Sequence, residues 1–186
     1  MPVTPRARQV LTTVGTLVAL LALAWLQSQG HLGGGPTTSA PAGRPTTTGP
    51  YAPSGPEQAL PGGSLKAHEA RGGHTLARHV GRTHEQLRER LRNEQKSEVS
   101  TFDDLAGAER WVARALYEQR SAVSAWLAAG AWTDMAVTWR AGEVVGQVLR
   151  AGAAEPVPGH TVHVVLYVSK RFPEGFAVRT AYVRLP

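Results

Sequence analysis

Cysteine is absent from all 186 residues. That excludes disulfide staples, thiol nucleophiles and cysteine-containing zinc sites, so a folded domain of this chain must stand on its apolar core alone. Also missing are the G-x-x-x-x-G-K-S/T loop, the G-x-G-x-x-G turn, the G-x-S-x-G elbow and the H-E-x-x-H helix. Nucleotide hydrolysis, dinucleotide binding, serine-hydrolase and zinc-protease chemistry therefore have no support in the sequence.

Acidic residues are missing from the first 26 positions, which open with Arg6 and Arg8 and run uncharged through residues 10–26. This is the pattern of an export or anchoring signal. Two readings stay open: a signal peptide cut near Ala24, after the small-residue run Ala22-Leu23-Ala24, or an uncleaved anchor that contacts the membrane and continues through Trp25 and Leu26. With the arginines on the cytoplasmic side, either reading exports the rest of the chain, as a membrane-anchored or a secreted domain.

Large apolar side chains are scarce over residues 27–65, where Gly, Pro, Ser and Thr dominate. Such a stretch buries too little surface to offset the entropy of ordering it, so it is expected to be a disordered, proline-stiffened tether. The globular domain is expected at residues 66–186. From Lys66 onward 17 Lys and Arg stand against 13 Asp and Glu, a net +4, which favours a polyanionic partner without demanding one.

What is present is a concentration of histidine and arginine at the head of that domain, HTLARHVGRTHEQLRER over residues 74–90. An imidazole beside a permanent cation is what cleavage of a phosphodiester without metal requires: a base of near-neutral pKa, and a charge to hold the phosphate. Metal binding is the competing reading of His68, His74, His79 and His84. Their spacings of six, five and five do not stack on one helical face, and no carboxylate cluster completes a site. His160 and His163 fall in opposite strand phase and read as surface or packed imidazoles. Asp103 and Asp104 read as helix-start residues rather than a glycosidase pair.

Thr83 with Gln86 forms a capping-box pattern, and Leu87 and Leu91 repeat at helical spacing, which predicts a helix over 84–93. Ser100-Thr101 before Phe102-Asp103-Asp104 predicts a second helix start, and Leu105, Ala108, Val112, Ala115 and Leu116 continue it. Val123, Trp126 and Leu127 follow after a break near Gln119, and Gly130 ends the run. Beyond it the pattern is β: a hairpin of residues 135–139 and 144–150 around 140–143, then a pair of strands over 161–170 and 176–185. Helices first and antiparallel strands after make the fold α+β. In the last strand, period-two alternation places Phe176, Val178, Thr180 and Tyr182 on one face.

Gly72-Gly73-His74-Thr75, Arg78-His79-Val80-Gly81-Arg82-Thr83, Leu87 to Arg90, Ser100-Thr101-Phe102-Asp103-Asp104-Leu105-Ala106, the alanine-rich helix with Trp126-Leu127 and the closing Thr180-Ala181-Tyr182 occur in an order and spacing that resembles a known family. It is the bacterial RNase A-like toxin domain found at the C-termini of contact-dependent growth-inhibition proteins and other polymorphic toxins. The resemblance covers about residues 66–186. It implies an RNase A-like fold, N-terminal helices packed on a twisted antiparallel sheet without disulfides, and an endoribonuclease that needs no metal or other cofactor.

Carried over by motif, the resemblance makes His79, Arg90, Thr180 and Tyr182 the catalytic set, with His74 a further candidate and Arg82 a phosphate contact. Arg82 stands where many relatives have lysine, which keeps the charge but changes its geometry. Val183 stands where a proline is expected. The implied reaction is attack of the ribose 2′-hydroxyl on the adjacent phosphorus, leaving a 2′,3′-cyclic phosphate. Vertebrate relatives use a second histidine as general acid. None is available near the C-terminus here, which leaves Tyr182, with Thr180, to donate to the leaving oxygen or to the phosphate.

The implied partners are an RNA substrate, transfer RNA among the candidates, and a cognate immunity protein, with the domain itself monomeric. The rival reading is a non-catalytic, membrane-tethered module that binds nucleic acid or envelope components.

Overall fold

The capping box at Thr83 and Gln86 is formed: Thr83 Oγ1 accepts from the Gln86 N–H, and Gln86 Oε1 accepts from the Thr83 N–H. In the computed structural model, residues 51–130 and 132–186 are described, and they fall within the second of two units, Pro45–Pro186. The signal or anchor expected at 1–26 and the tether at 27–50 lie outside the described residues. Among the described residues no helix is long and apolar enough to cross a membrane.

The order of elements is α1 (Leu65–Glu69), α2 (Thr75–His79), α3 (His84–Glu94), β1 (Glu98–Thr101), α4 (Leu105–Glu118), α5 (Arg120–Ala128), β2 (Met135–Arg140), β3 (Gly146–Arg150), β4 (Val157–Gly159), β5 (Thr161–Val168) and β6 (Phe176–Arg184). The α+β order expected from the sequence holds. In place of one sheet there are two among the described residues, β1-β3-β4 and β2-β5-β6, every pair within them antiparallel.

Three further expectations change. The hairpin expected between residues 135–139 and 144–150 does not form: β2 pairs with β5, whereas β3 pairs with β1 and β4. The turn residues between them signal a break in the strand, but a break does not choose a partner. Ala141 N–H donates to His160 O at 2.8 Å and Val145 N–H to Gly159 O at 2.9 Å, so the connection crosses from one sheet to the other. Gly146 and Gly159 are partners across β3 and β4 where β6 comes close, and a Cβ on either would collide with Val183.

Ser100 and Thr101 do not cap a helix. They belong to β1 with buried side chains, and Asp104 caps α4 by accepting from Gly107 N–H at 2.7 Å. Hydroxyl residues suit both roles, and here strand pairing with β3 wins.

The tether expected to run to residue 65 ends sooner. Tyr51 and Leu60 are buried in the core, and the Tyr51 ring meets Phe176 edge-on at 5.2 Å. Ser124 Oγ donates to Tyr51 O at 2.7 Å, and the Gly62 N–H donates to Glu174. Composition over the whole stretch hides two large side chains that are enough to dock it.

Helix α4 buries Ala108, Trp111, Val112, Ala115 and Leu116, a stripe at helical period, over β5 and β2, in a core cluster with Val137 of β2, Val162, Val164 and Leu166 of β5 and Phe176, Val178, Ala181 and Val183 of β6. The break at Gln119 separates it from α5, and Gly130 follows with φ +63°, the left-handed conformation that ends helices. A smaller cluster of Leu87, Leu91, Val99 and Leu149 packs α3 on β1 and β3.

Candidate active site

His79 is the last residue of the five-residue helix α2, too short to hold its place by its own hydrogen bonds. Three anchors fix it. The Glu69 carboxylate accepts from the N–H groups of Leu76 and Ala77, two of the donors left open in the first turn. At the front, His74 N–H donates to Arg179 O at 2.9 Å, and the Ala181 N–H donates to the buried Thr75 Oγ1 at 2.9 Å, bolting α2 to β6 on both sides of Thr180. Beyond the helix, Phe102 N–H donates to His79 O and Gly81 N–H to Phe102 O, at 2.8 and 2.9 Å, a short parallel bridge to the end of β1.

Strand β6 carries a bulge that reverses its side-chain parity. Val165 pairs with Thr180 but Leu166 pairs with Val178, so Arg179 is the extra residue. Phe176 and Val178 therefore share the core face with Ala181 and Val183, and the common face expected for Phe176, Val178, Thr180 and Tyr182 is divided. Thr180 and Tyr182 remain together, on the face turned toward His79.

These elements enclose a cleft of about 370 Å³ lined by His74, Arg78, His79, Arg90, Thr180 and Tyr182, with Glu94, Lys96, Ser100 and Arg184 at its walls. His79 Nδ1 lies 3.4 Å from Ser100 O. A carbonyl only accepts, so Nδ1 carries the proton and Nε2 keeps its lone pair. Desolvation, then the nearby Arg90 cation, pulls the His79 pKa down to about 3, against a smaller upward pull from the Ser100 bond. The free imidazole is thus neutral, as a base must be.

Arg90 reaches back from α3. Its Nη1 donates to Arg78 O at 2.6 Å, and its Nε bonds Glu94 one turn on at 3.3 Å. Glu94 also pairs with Arg78 Nη2 at 2.9 Å, and the hydrogen bond from Arg90 holds its carboxyl below the usual carboxylate range. Glu94 thereby keeps two guanidiniums side by side. The hydroxyl of Thr180 is buried and has no hydrogen-bond partner among the described residues. Tyr182 lies between two imidazoles, with ring centroids 5.4 Å from His79 and 4.8 Å from His163.

Five of the six residues expected from the sequence, His74, His79, Arg90, Thr180 and Tyr182, meet in this cleft. Arg82 does not. Its Nε donates to Val80 O and its backbone N–H to Thr101 Oγ1, and it faces a separate hollow with Thr83, His84, Asp103 and Gln147. The expected phosphate contact at Arg82 is not supported, because one backbone carbonyl turns the side chain away.

Arg78 joins the cleft although the motif set does not include it, and its position next to His79 is the sequence signal for it. The remaining histidines of the cluster disperse. His68 is buried, bonded to Pro61 O and Val178 N–H and stacked on Phe172; His84 bonds Gln147 and pairs with Glu155.

No protein of curated function matches the chain. One chain of a solved structure, described as the crystal structure of the CdiA-CT/CdiI complex from Y. kristensenii 33638, is similar in fold, with TM-score 0.56 and 20% identity over 60% of this chain and 99% of that one. The family model described as the bacterial CdiA-CT RNAse A domain matches residues 73–182, from the Gly73 turn to Tyr182. That match takes in more than half of the chain and every residue that meets in the cleft except Val183 and Arg184, and the chain belongs to that family of toxin ribonuclease domains.

Proposed function

We propose that this domain is a metal-independent endoribonuclease that cleaves RNA by transphosphorylation. The observation that carries the reading is the meeting of His79, Arg78, Arg90 and Thr180 in one cleft, the buried Thr180 hydroxyl having no partner among the described residues.

In this mechanism the scissile phosphodiester is held by Arg90, with Arg78 beside it. His79 Nε2 takes the proton of the ribose 2′-hydroxyl, whose oxygen attacks phosphorus. The bond to the 5′-oxygen breaks, and that oxygen leaves as a hydroxyl, giving a 2′,3′-cyclic phosphate. The negative charge of the bound phosphodiester opposes the Arg90 field, the second of the two effects that lower the His79 pKa most, and so strengthens the imidazole as a base.

Thr180, whose hydroxyl has no partner among the described residues, donates to a non-bridging oxygen. Tyr182 donates either to the same oxygens or to the leaving 5′-oxygen. Phenols are poor proton donors at neutral pH, so the second role asks more of the site. His74, which heads α2 without a side-chain capping bond, is the further proton donor within the cleft.

The complex named for the similar structure supports a cognate inhibitor for this domain as well. The uncharged run at residues 10–26, preceded by Arg6 and Arg8, supports export, by an anchor or by a leader cut near Ala24.

The test is a labelled oligoribonucleotide incubated with the domain in excess EDTA. Products ending in a 2′,3′-cyclic phosphate are expected, with the matching oligodeoxynucleotide uncut. Salt-sensitive binding without any cyclic product would replace this reading with a non-catalytic RNA-binding module.

A further inference from the structure

The sheet β2-β5-β6 has a second face beyond the cleft. Alternation and register place Ala136, Thr138 and Arg140 of β2, Thr161, His163 and Val165 of β5, and Thr180, Tyr182 and Arg184 of β6 on that face, while α4 packs on the other. The β2 members are exposed, and Arg184 is half-exposed. Three cross-strand rows result, Ala136–Val165–Thr180, Thr138–His163–Tyr182 and Arg140–Thr161–Arg184.

The middle row is ordered. Thr138 Oγ1 and His163 Nδ1 lie 2.9 Å apart, which fixes the imidazole, and the His163 ring meets that of Tyr182 at 4.8 Å. Desolvation, with Arg184 adding to it, lowers the His163 pKa, so the ring is uncharged at neutral pH and presents a π face. The third row carries a cation on each edge strand, about 10 Å apart by strand spacing. Thr180, Tyr182 and Arg184 also line the cleft, so the face and the cleft are one continuous surface.

We propose that this face is a binding track for single-stranded RNA beyond the scissile linkage, with a nucleobase stacked on His163 and its backbone phosphates drawn to Arg140 and Arg184. The proposal rests on the ribonuclease reading for its ligand. Rings flanked by cations suit a single strand because every base offers a stacking face, whatever its sequence.

The experiment measures binding of 2′-O-methyl oligoribonucleotides, two and five nucleotides long, by fluorescence competition. These probes have no attacking hydroxyl, so the result does not depend on turnover. His163→Ala and Arg140→Ala are expected to weaken the five-nucleotide probe, the former about 5–150-fold, with the two-nucleotide probe unchanged within about threefold. His163→Phe, which keeps a stacking ring, should retain the wild-type affinity. Arg140→Ala should also flatten the salt dependence by about one phosphate contact.

Equal affinity of the wild type and both alanine variants for the five-nucleotide probe would overturn the proposal. Should His163→Ala misfold, Arg140→Ala at its exposed edge position decides the matter alone. Failure of the wild type to cut unmodified RNA would sink the ribonuclease reading and leave this binding result standing.

Discussion

The imidazole of His79 faces the phenol of Tyr182, with ring centroids 5.4 Å apart and planes 30° from parallel. One ring ends a helix of five residues and the other sits four residues from the end of the chain. Neither element orients its ring alone. The Thr75 hydroxyl and the His74 N–H tie α2 to β6 on both sides of Thr180, and the bulge at Arg179 turns Thr180 and Tyr182 toward the helix.

Replacing His79 with alanine should lower kcat on RNA by about 10²–10⁴-fold, the usual cost of losing a general base. RNA binding by the variant should persist, because the arginines remain. Activity within tenfold of wild type would remove His79 from the proposed mechanism.

Thr180→Val separates catalysis from folding. The hydroxyl bonds nothing among the described residues, so its loss should leave the urea midpoint unchanged or raise stability by up to about 1 kcal/mol. Turnover should nonetheless fall about tenfold or more if that hydroxyl donates to the phosphate. A variant less stable than wild type but equally active would reverse the assignment.

Arg90→Lys should be deleterious although the charge is kept. A single ammonium cannot reproduce the fork that bonds both Arg78 O and Glu94 while facing the cleft. A loss of about tenfold or more in kcat/KM is expected, since hydrogen bonds from charged groups contribute about 1.5–3 kcal/mol.

Stability should fall as pH drops below the unfolded histidine value of about 6.5. His79, His68 and His163 all have folded pKa values below that, so between about pH 6.5 and His79's value of about 3 the unfolded chain binds more protons than the folded one. The effect is destabilising toward acid and vanishes above the unfolded pKa. Urea midpoints near pH 7.5 and pH 5 measure it, and His79→Gln should shrink the difference.

Leu60→Ala tests where the domain begins. A buried leucine truncated to alanine costs about 2–5 kcal/mol, whereas the same change in an unstructured tether would cost almost nothing. Thermal or urea unfolding of the two chains distinguishes these outcomes.

Local features were the legible part of the sequence. The Thr83–Gln86 capping box, the break at Gln119, the stop at Gly130 and the β5–β6 pair all follow from side chains within a few residues of each other. Motif resemblance picks out six candidate residues, and five of them line one cleft. Arg82 lies outside that cleft, where its bond to Val80 O directs it, and no spacing encodes such a bond.

By itself the sequence determined the helical and extended segments, the absence of covalent staples and the chemistry available at the domain's head, because these depend on residue type and short-range periodicity. Only the tertiary structure decided that β2 and β3 lie in different sheets, that Tyr51 and Leu60 join the core, and that one extra residue at Arg179 turns Thr180 and Tyr182 to His79. Strand partnership and bulge position are settled by contacts between distant segments, whose energies no local stretch contains.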